Sequence, residues 1–150
     1  MARLLILALL SSGCLVHVQT RGVLESQGEE LLLLDSEGGR LRLVGEGAAP
    51  LSSLAGCGVE VDGVRQGKSL RVTDWKVTVA PDGSTPFVGP LRHHGSNLVL
   101  ADQNSGGLVV LEAESAKDLW PLAGGTVLVI GYVVGPQLVR VVAWTVLVEP

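Results

Sequence analysis

The sequence predicts an all-β protein built from two small five-stranded barrels in tandem, and three observations predict it. First, short runs rich in Val and Leu are separated by turn-forming residues, with 20 Gly and 7 Pro among 150 residues, which is typical of many short strands joined by tight turns. Second, several runs alternate apolar and polar residues, the period of a strand with one buried face. Third, the second half of the chain repeats the spacing of the first.

Each copy is expected to contain three strands, a short helix and two further strands. In the first copy we expect strands over residues 22–25, 31–34 and 40–43, with a turn at Asp35–Gly39, where Asp can bond backbone N–H groups and Gly can take a positive φ. A short helix is expected over 50–54, closed by Gly56. The last two strands contain Val59–Gly63 and Leu70–Val72 and are joined through residues 65–68.

Comparison of the chain with itself predicts a duplication, because chance would match Leu and Val in so apolar a chain but not Gly, Asp and Trp in register. The matched pairs, with two single-residue insertions, are Gly22 and Gly89, Leu24 and Leu91, Asp35 and Asp102, Leu41 and Leu108, Leu54 and Leu122, Gly56 and Gly124, Val59 and Val127, Gly63 and Gly131, Gly67 and Gly135, Leu70 and Leu138, and Trp75 and Trp144. The predicted domains are repeat 1 over 20–77 and repeat 2 over 87–150, joined by a linker over 78–86.

This order of elements resembles the OB-fold, a five-stranded Greek-key barrel whose short helix lies between strands 3 and 4. The resemblance covers 22–77 and 89–148, and an SH3-like barrel is the alternative. It implies a ligand face over strands 2 and 3, which in the first copy includes Arg40 and Arg42.

The first 13 residues have the organisation of an export signal. Arg3 supplies a positive start, residues 4–10 form an unbroken apolar run, and small residues follow at 11–13, as a signal-peptide cleavage region requires. The apolar run is far shorter than the roughly 20 residues that span a bilayer as a helix. We therefore expect a signal peptide over 1–13, with residues 14–19, including His17, as a tether.

The residues Ser12, Gly13 and Cys14 resemble the lipobox of bacterial lipoproteins, with Leu10 one place earlier than the usual leucine. In that family the cysteine carries the lipid and the chain is cut just before it. The resemblance implies lipid attachment at Cys14 and a location in the cell envelope. Leu15, where the family often has an aspartate for inner-membrane retention, favours the outer membrane, facing the periplasm. The alternatives are an ordinary signal peptide that leaves Cys14 as a thiol, and a protein that is not exported.

Composition narrows the classes of partner. The formal net charge is −4, whereas proteins that bind nucleic acid usually present a basic surface that displaces counterions. We therefore expect no nucleic-acid partner. Two cysteines are too few for a disulfide framework, although a Cys14–Cys57 bond becomes possible if Cys14 is not acylated. Otherwise we expect Cys57 to be a small buried residue in a turn.

The second copy is more apolar than the first. Residues 126–134 and 138–148 are apolar on both faces of their predicted strands, so the surplus side chains need a cover. We expect either a tight contact between the two barrels or a docking surface with Tyr132 near its rim.

The remaining candidate residues favour structural interpretations. His93 and His94 are neighbours on a strand and so point to opposite faces, and zinc wants three or four ligands, which predicts exposed loop histidines without a metal. Asp35 and Asp102 are expected to stabilise turns. We expect Trp75 and Trp144 to fill the barrel cores, while Trp120 is the better candidate for an exposed contact, although packing is the expectation for it too.

These patterns predict a membrane-anchored binding or adaptor module for a protein or an envelope polymer, with no catalytic residue, metal or cofactor. One alternative is a small hydrolase that uses carboxylates, which requires two acids to converge. The acids available for it are Glu60, Asp62, Asp102, Glu112 and Glu114. The other alternative is an oligonucleotide-binding barrel, which requires a basic groove with stacked aromatic residues.

Overall fold

The computed structural model describes residues 15–150, so the expected signal peptide and Cys14 lie outside the described residues. Within this range the protein is all-β, as expected, with ten strands and two short 3₁₀ helices. The strands are β1 (Val16–Gln27), β2 (Glu30–Leu34), β3 (Arg40–Val44), β4 (Gly58–Gln66), β5 (Ser69–Val79), β6 (Phe87–His94), β7 (Asn97–Ala101), β8 (Leu108–Leu111), β9 (Thr126–Gly135) and β10 (Leu138–Val148). The 3₁₀ helices span Glu46–Leu51 and Lys117–Leu122. Neither helix of the described part has the length and apolarity needed to span a bilayer.

The second half forms a closed five-stranded barrel with the strand order β10-β8-β7-β6-β9. Its pairs are antiparallel except for the parallel pair β8–β10, which closes the barrel. In the first half, β1 pairs with β2 and β4, β3 pairs with β2 and β5, and β4 pairs with β5, so each strand has two neighbours. The parallel pair there is β3–β5.

Two expected boundaries are wrong. The segment 14–19 is not a tether from Val16 onward, because β1 begins at Val16 and residues 16–23 pair with β4. The helix between strands 3 and 4 lies at the expected place in the order of elements. It is a 3₁₀ helix over Glu46–Leu51, however, and not the expected segment 50–54. Pro50 lies inside this helix, one residue before its end, and supplies no backbone N–H to it.

The same backbone contacts hold the helix region to the first strand in both halves. Leu24 N–H donates to the carbonyl of Cys57 at 2.9 Å, and Gly56 N–H donates to the carbonyl of Leu24 at 2.8 Å. In the second half, Leu91 exchanges the equivalent pair of hydrogen bonds with the two residues 124–125, at 2.9 and 2.7 Å. Gly56 and Gly124 both have a positive φ, of 88° and 100°, which explains glycine at each position.

A β-bulge lies at the same place in both long hairpins. The register shifts between Asp62 and Gly63 in the β4–β5 pair, and between Val141 and Ala143 in the β9–β10 pair. Trp75 then lies opposite Val61, and Trp144 lies opposite Val129. The two tryptophans therefore occupy matching ladder positions.

Three of the predicted residue pairs are wrong. Gly67 lies in the turn between β4 and β5, whereas Gly135 ends β9 and pairs with Leu138. Leu33 pairs with Leu41 and Leu100 pairs with Val109, so Val109 rather than Leu108 matches Leu41. Likewise, Leu43 pairs with Leu70 and Leu111 pairs with Val139, so Val139 rather than Leu138 matches Leu70. One insertion falls in the turn after Asp102, where no ladder pair constrains chain length. The other is Val134 of β9, which lies between the paired residues Val133 and Gly135 and forms a β-bulge.

The apolar core continues from one half into the other. Three buried residues of the second half, Val88, Leu128 and Leu147, belong to the apolar cluster of the first half. Neighbours on β9, such as Val127 and Val129, point the other way into the second core. The expected contact between the two halves therefore covers one part of the surplus apolar surface.

Polar contacts accompany this interface. The amide nitrogen of Asn104 donates to the carbonyl oxygens of Val77 and Pro86, both at 2.8 Å, while Gln103 Oε1 accepts from Val77 N–H at 2.9 Å. The turn after β7 thus binds both the end of β5 and the segment that precedes β6. These hydrogen bonds fix the position of one half relative to the other.

Candidate functional site

An open cleft of about 590 Å³ lies on the first half, between β1, the start of β3 and the β4–β5 hairpin. We call it the basic cleft, because Arg40, Arg65 and Lys68 line it. Its other lining residues are Val18, Gln19, Thr20, Asp35, Gly38, Gly39 and Leu41.

Local structure positions each cation. Arg40 opens β3 and points outward, because Leu41 and Leu43 occupy the alternate, inward positions of that strand. Arg65 lies near the end of β4, and Lys68 lies in the tight turn that follows, next to Gly67, whose φ is 61°. Nε of Arg65 donates to the carbonyl oxygen of Gly67 at 3.1 Å, which orients its guanidinium beside the turn.

The cleft carries unbalanced positive charge. Within residues 15–150, no carboxylate oxygen lies within 4 Å of the charged nitrogens of Arg40, Arg65 or Lys68. Asp35 is the one acid among the lining residues. Its Oδ1 already accepts from the backbone N–H groups of Glu37 and Gly39, at 2.9 and 2.7 Å. The cleft therefore suits an anionic group, which guanidinium and ammonium donors bind through charge-assisted hydrogen bonds.

The sequence predicts one cation of this cleft, Arg40, as part of a ligand face on strands 2 and 3, and Arg40 lines the cleft. Arg42 was expected there too, but its guanidinium bonds Glu30 Oε1 and Ser69 Oγ, both at 3.3 Å, beside a different depression. The sequence pattern indicates only that Arg65 and Lys68 lie in the connection between two strands. The signal for a cation site here is the presence of two cations close to Gly67, the glycine of a predicted hairpin turn.

The corresponding face of the second half is less charged. A groove of about 340 Å³ is lined by residues of β6, β7 and β8 together with Gln137. At the ladder positions of Arg40 and Arg65 the second half has Leu108 and Val133, and Gln137 takes the place of Lys68. The two halves therefore present different chemistry at equivalent places.

The two neighbouring histidines are exposed, as expected, but they lie in β6 itself and not in the loop after it. The ring of His93 stacks on Trp120, with ring centroids 4.1 Å apart and planes 24° apart. His93 Nε2 lies 3.0 Å from the carbonyl oxygen of Trp120, and the tautomer with a proton on Nε2 donates to it. Trp120 thus makes a packing contact while remaining partly exposed. No group of three potential metal ligands occurs among residues 15–150.

The two repeated aspartates, Asp35 and Asp102, both accept hydrogen bonds from backbone N–H groups of turns. Asp102 is buried, and its carboxylate accepts from the backbone N–H groups of Val88, Asn104 and Ser105, at 3.0 to 3.3 Å. Asp35 makes the exposed version of the same contact. Both therefore have the structural role expected of a turn aspartate.

The other acids do not converge in the described part. Glu112 bonds Arg140 and Glu60 lies 2.8 Å from Arg21, in two separate ion pairs on different strands. Asp62 lies opposite Asp74 in the β4–β5 ladder, and Glu114 is exposed after β8. These positions bring no two of the candidate acids into one ion-pair or hydrogen-bond network.

Cys57 is 2% exposed and belongs to the core of the first half, as expected for a small buried residue. Burial raises the pKa of its thiol, because the thiolate would be desolvated. The two tryptophans differ in environment. Trp75 is half-buried and packs against the core, whereas Trp144 is 40% exposed, so the expectation that it fills the core is wrong.

No protein-family model and no curated protein sequence matches this chain.

Proposed function

We propose that this protein is a lipid-anchored envelope protein that binds an anionic partner, a protein or an envelope polymer, in the basic cleft. The observation that carries the proposal is the set of three cations without carboxylate partners, within the described part, around a cleft of about 590 Å³. The chain as a whole has a net charge of −4. A local positive cleft on an acidic protein favours a specific anionic ligand over general adhesion to polyanions.

The anchor in this proposal is the lipid on Cys14, after removal of residues 1–13. β1 begins at Val16, only two residues after Cys14, so the strand would start within about 7 Å of the attachment point along the chain. Val16 pairs with Arg65 of the basic cleft. The cleft would therefore open near the membrane surface, within reach of partners that are held there.

The proposal treats the two halves as tandem copies of one OB-like barrel. It is supported by the shared order of strands and 3₁₀ helices, by a parallel pair between the third and fifth strands of each half, and by the matching bulges. Glycines in both copies are enclosed in the same way. A Cβ at Gly63 would overlap the carbonyl oxygen of Arg71, and one at Gly131 would overlap that of Arg140.

The cleft favours a carboxylate or phosphate ligand over an oligonucleotide. No aromatic side chain is among its lining residues, whereas proteins that bind single strands combine positive charge with aromatic rings on which bases stack. The hydrolase alternative has no comparable support, because Glu60 and Glu112 are engaged in separate ion pairs.

The anchor is tested by metabolic labelling with a fatty-acid probe. The wild-type chain should take up the label and fractionate with membranes, and Cys14→Ser should abolish both. Cys57→Ser is the matched control and should leave the label in place. A label that survives Cys14→Ser would contradict lipid attachment at that residue.

The cleft is tested separately, with the full chain in detergent and two fluorescent probes, a hexaglutamate peptide and a short polyphosphate chain. We expect at least one probe to bind, and Arg40→Ala and Lys68→Ala each to weaken binding about fivefold, since an exposed charge contact contributes about 1 kcal/mol. Arg71→Ala is the control, because Arg71 is exposed on β5 but does not line the cleft.

The two probes separate the partner classes, since the peptide represents an acidic protein segment and polyphosphate represents a phosphate-bearing polymer. Tighter binding of an oligothymidylate than of either probe would favour the oligonucleotide alternative. Probe binding that is unchanged by Arg40→Ala and by Lys68→Ala would refute the basic cleft as the ligand site.

A further inference from the structure

We propose that the free edge of β9 pairs with the same edge of a second copy of this chain, so that the protein forms a two-fold symmetric dimer. The proposal rests on a difference between the two halves of the described part and is independent of the basic cleft and of the lipid anchor.

The difference lies in what covers the long hairpin of each half. In the first half, β1 extends to Val16 and pairs with β4 as far as Arg65. In the second half, β6 begins at Phe87, and its pairing with β9 covers only Thr126–Val129. Within residues 15–150, Ile130–Gly135 therefore pair only with β10 and have one free edge.

The linker explains why this edge is left open. The residues that would extend β6 along β9 are those just before Phe87, and they instead connect the halves. Asn104 holds the carbonyl oxygen of Pro86, and Ala80 N–H donates to the carbonyl of Ser84 at 2.8 Å in the turn before it. The segment is thereby directed to the first half. In a strand with one partner, alternate N–H and C=O groups point to the open side and remain available.

The surface around this edge is apolar. Tyr132 is 51% exposed, Val133 64%, and Val142, at the bulge of the neighbouring strand, 67%. The matching residues of the first half that flank its covered hairpin include Arg65 and Thr73. The β4–β5 hairpin is polar and is covered by β1, whereas the β9–β10 hairpin is apolar and has an open edge. Only the β9–β10 hairpin therefore has the properties of an interface.

The absence of charge makes this edge compatible with a second copy of itself, which we take as the occupant. Natural proteins protect an exposed edge with charged residues or proline, but β9 contains no charged residue and no proline from Thr126 to Gly135. The nearest cation, Arg140, is neutralised by Glu112. An antiparallel pair of identical strands is related by a two-fold axis, so two such edges meet without repulsion and each apolar side chain meets an apolar one. The first half shows the geometry, since β1 joins β4 as an antiparallel strand.

The test is sedimentation equilibrium of the full chain in density-matched detergent. We expect a dimer for the wild type, and a dissociation constant at least about tenfold larger for Val133→Lys, because a lysine on the edge opposes its own copy across the axis. Val23→Lys is the matched control. Val23 is an exposed valine on β1 of the first half, and its substitution should leave the dimer intact.

Two results would overturn the proposal: a monomeric wild type, or a Val133→Lys variant that remains as dimeric as the Val23→Lys control. If Val133→Lys fails to fold, oxidative crosslinking tests the dimer instead. Cysteine at Tyr132 or Val133, one at a time, should give a disulfide-linked dimer through at least one of the two positions, and cysteine at Thr73 should not. Absence of crosslinks at both positions would equally reject edge pairing between copies.

Discussion

Arg140 of β10 holds the carboxylate of Glu112 through two hydrogen bonds, from Nε at 2.8 Å and from Nη2 at 2.7 Å. The same guanidinium lies 5.9 Å from the ring centroid of Tyr132. Glu112 follows directly after β8, and its backbone N–H donates to the carbonyl of Val139 at 2.8 Å. The ion pair therefore lies where the parallel strands close the barrel of the second half. The matching cross-strand pair of the first half is Val44 with Arg71, which has no carboxylate.

This ion pair should make stability depend on pH. The hydrogen bond from Arg140 is the main cause that lowers the pKa of Glu112. A carboxyl group with a lowered folded-state pKa stabilises the fold above its unfolded pKa, and the contribution is lost as the pH falls through the folded pKa. We expect Glu112→Gln to lower the Tm at pH 7. The difference from the wild type should vanish well below pH 4.5, the ordinary value for glutamate.

Thermal unfolding followed by circular dichroism across this pH range measures the effect. Glu114→Gln is the matched control, because Glu114 is exposed and has no cation partner within residues 15–150. A difference between Glu112→Gln and the wild type that stays constant down to pH 2 would show that the ion pair is not its source.

Gly89 should not tolerate alanine. A Cβ at this position would overlap the backbone carbonyl oxygen of Ala101 on the neighbouring strand, and a backbone atom cannot move aside without disturbing the barrel. We expect Gly89→Ala to reduce the free energy of unfolding by about 3 kcal/mol, the upper range for overpacking. Gly107→Ala should have little effect, because the nearest atom to its Cβ is Ser105 Oγ at 3.9 Å. Urea unfolding of both variants provides the comparison, and equal losses would rule out the steric explanation.

The contact between the halves should contribute strongly to stability. Leu128 is buried against the apolar cluster of the first half, so Leu128→Ala should cost about 3 kcal/mol through the lost burial and the cavity left behind. Leu108→Ala removes the same atoms from an exposed site and should be nearly neutral. Chemical denaturation measures both losses. A neutral Leu128→Ala would mean that the two halves are not packed together in solution.

Asn104 tests the polar side of the same contact. Asn104→Ala leaves the carbonyl oxygens of Val77 and Pro86 without their 2.8 Å donor, which should cost about 2 kcal/mol. Asn97, exposed at the start of β7, provides the control substitution Asn97→Ala. Hydrogen exchange at the end of β5 should accelerate in Asn104→Ala alone, and unchanged exchange would contradict the bridging role.

Cys57 should be protected from reagents in the folded protein. Its thiol is buried in the core, and burial raises its pKa, so little thiolate is present or accessible. In the Cys14→Ser chain, where Cys57 is the remaining thiol, we expect alkylation by iodoacetamide at pH 8 to be roughly hundredfold slower than in urea. The raised pKa also implies that stability falls as the pH rises through the ordinary value of 9.0. Rapid native alkylation would place the thiol at the surface.

Much of the architecture could be predicted because its signals are local. The period-two alternation of Arg40–Leu43 identifies β3, and the Asp-Gly turn after Leu34 ends β2. Such patterns reflect what a few adjacent residues do, since side chains alternate along a strand and Asp and Gly favour turns. Cys57 in the core follows from the same kind of reasoning. The order of strands and the place of the short helix also needed nothing beyond the sequence.

Contacts between distant residues could not be predicted in this way. Glu112 and Arg140 are 28 residues apart. Arg40 and Arg65 line the same cleft because β3 pairs with β5 and β5 pairs with β4. Trp144, which the repeat predicts to fill a core, is 40% exposed, whereas Trp75 is half-buried. The ladder position of Trp144 opposite Val129 is equivalent to that of Trp75 opposite Val61, so the ladder alone does not decide its exposure.

The sequence by itself determined that this protein is all-β, the order of its strands and turns, and which residues alternate between faces. Only the tertiary structure decided which apolar face is covered. Leu128 is buried against the other half while Val133, on the same strand, stays exposed. The reason is physical: alternation assigns a side chain to one of two faces, whereas its burial depends on which distant segment packs there, and the linker before β6 leaves half of β9 uncovered.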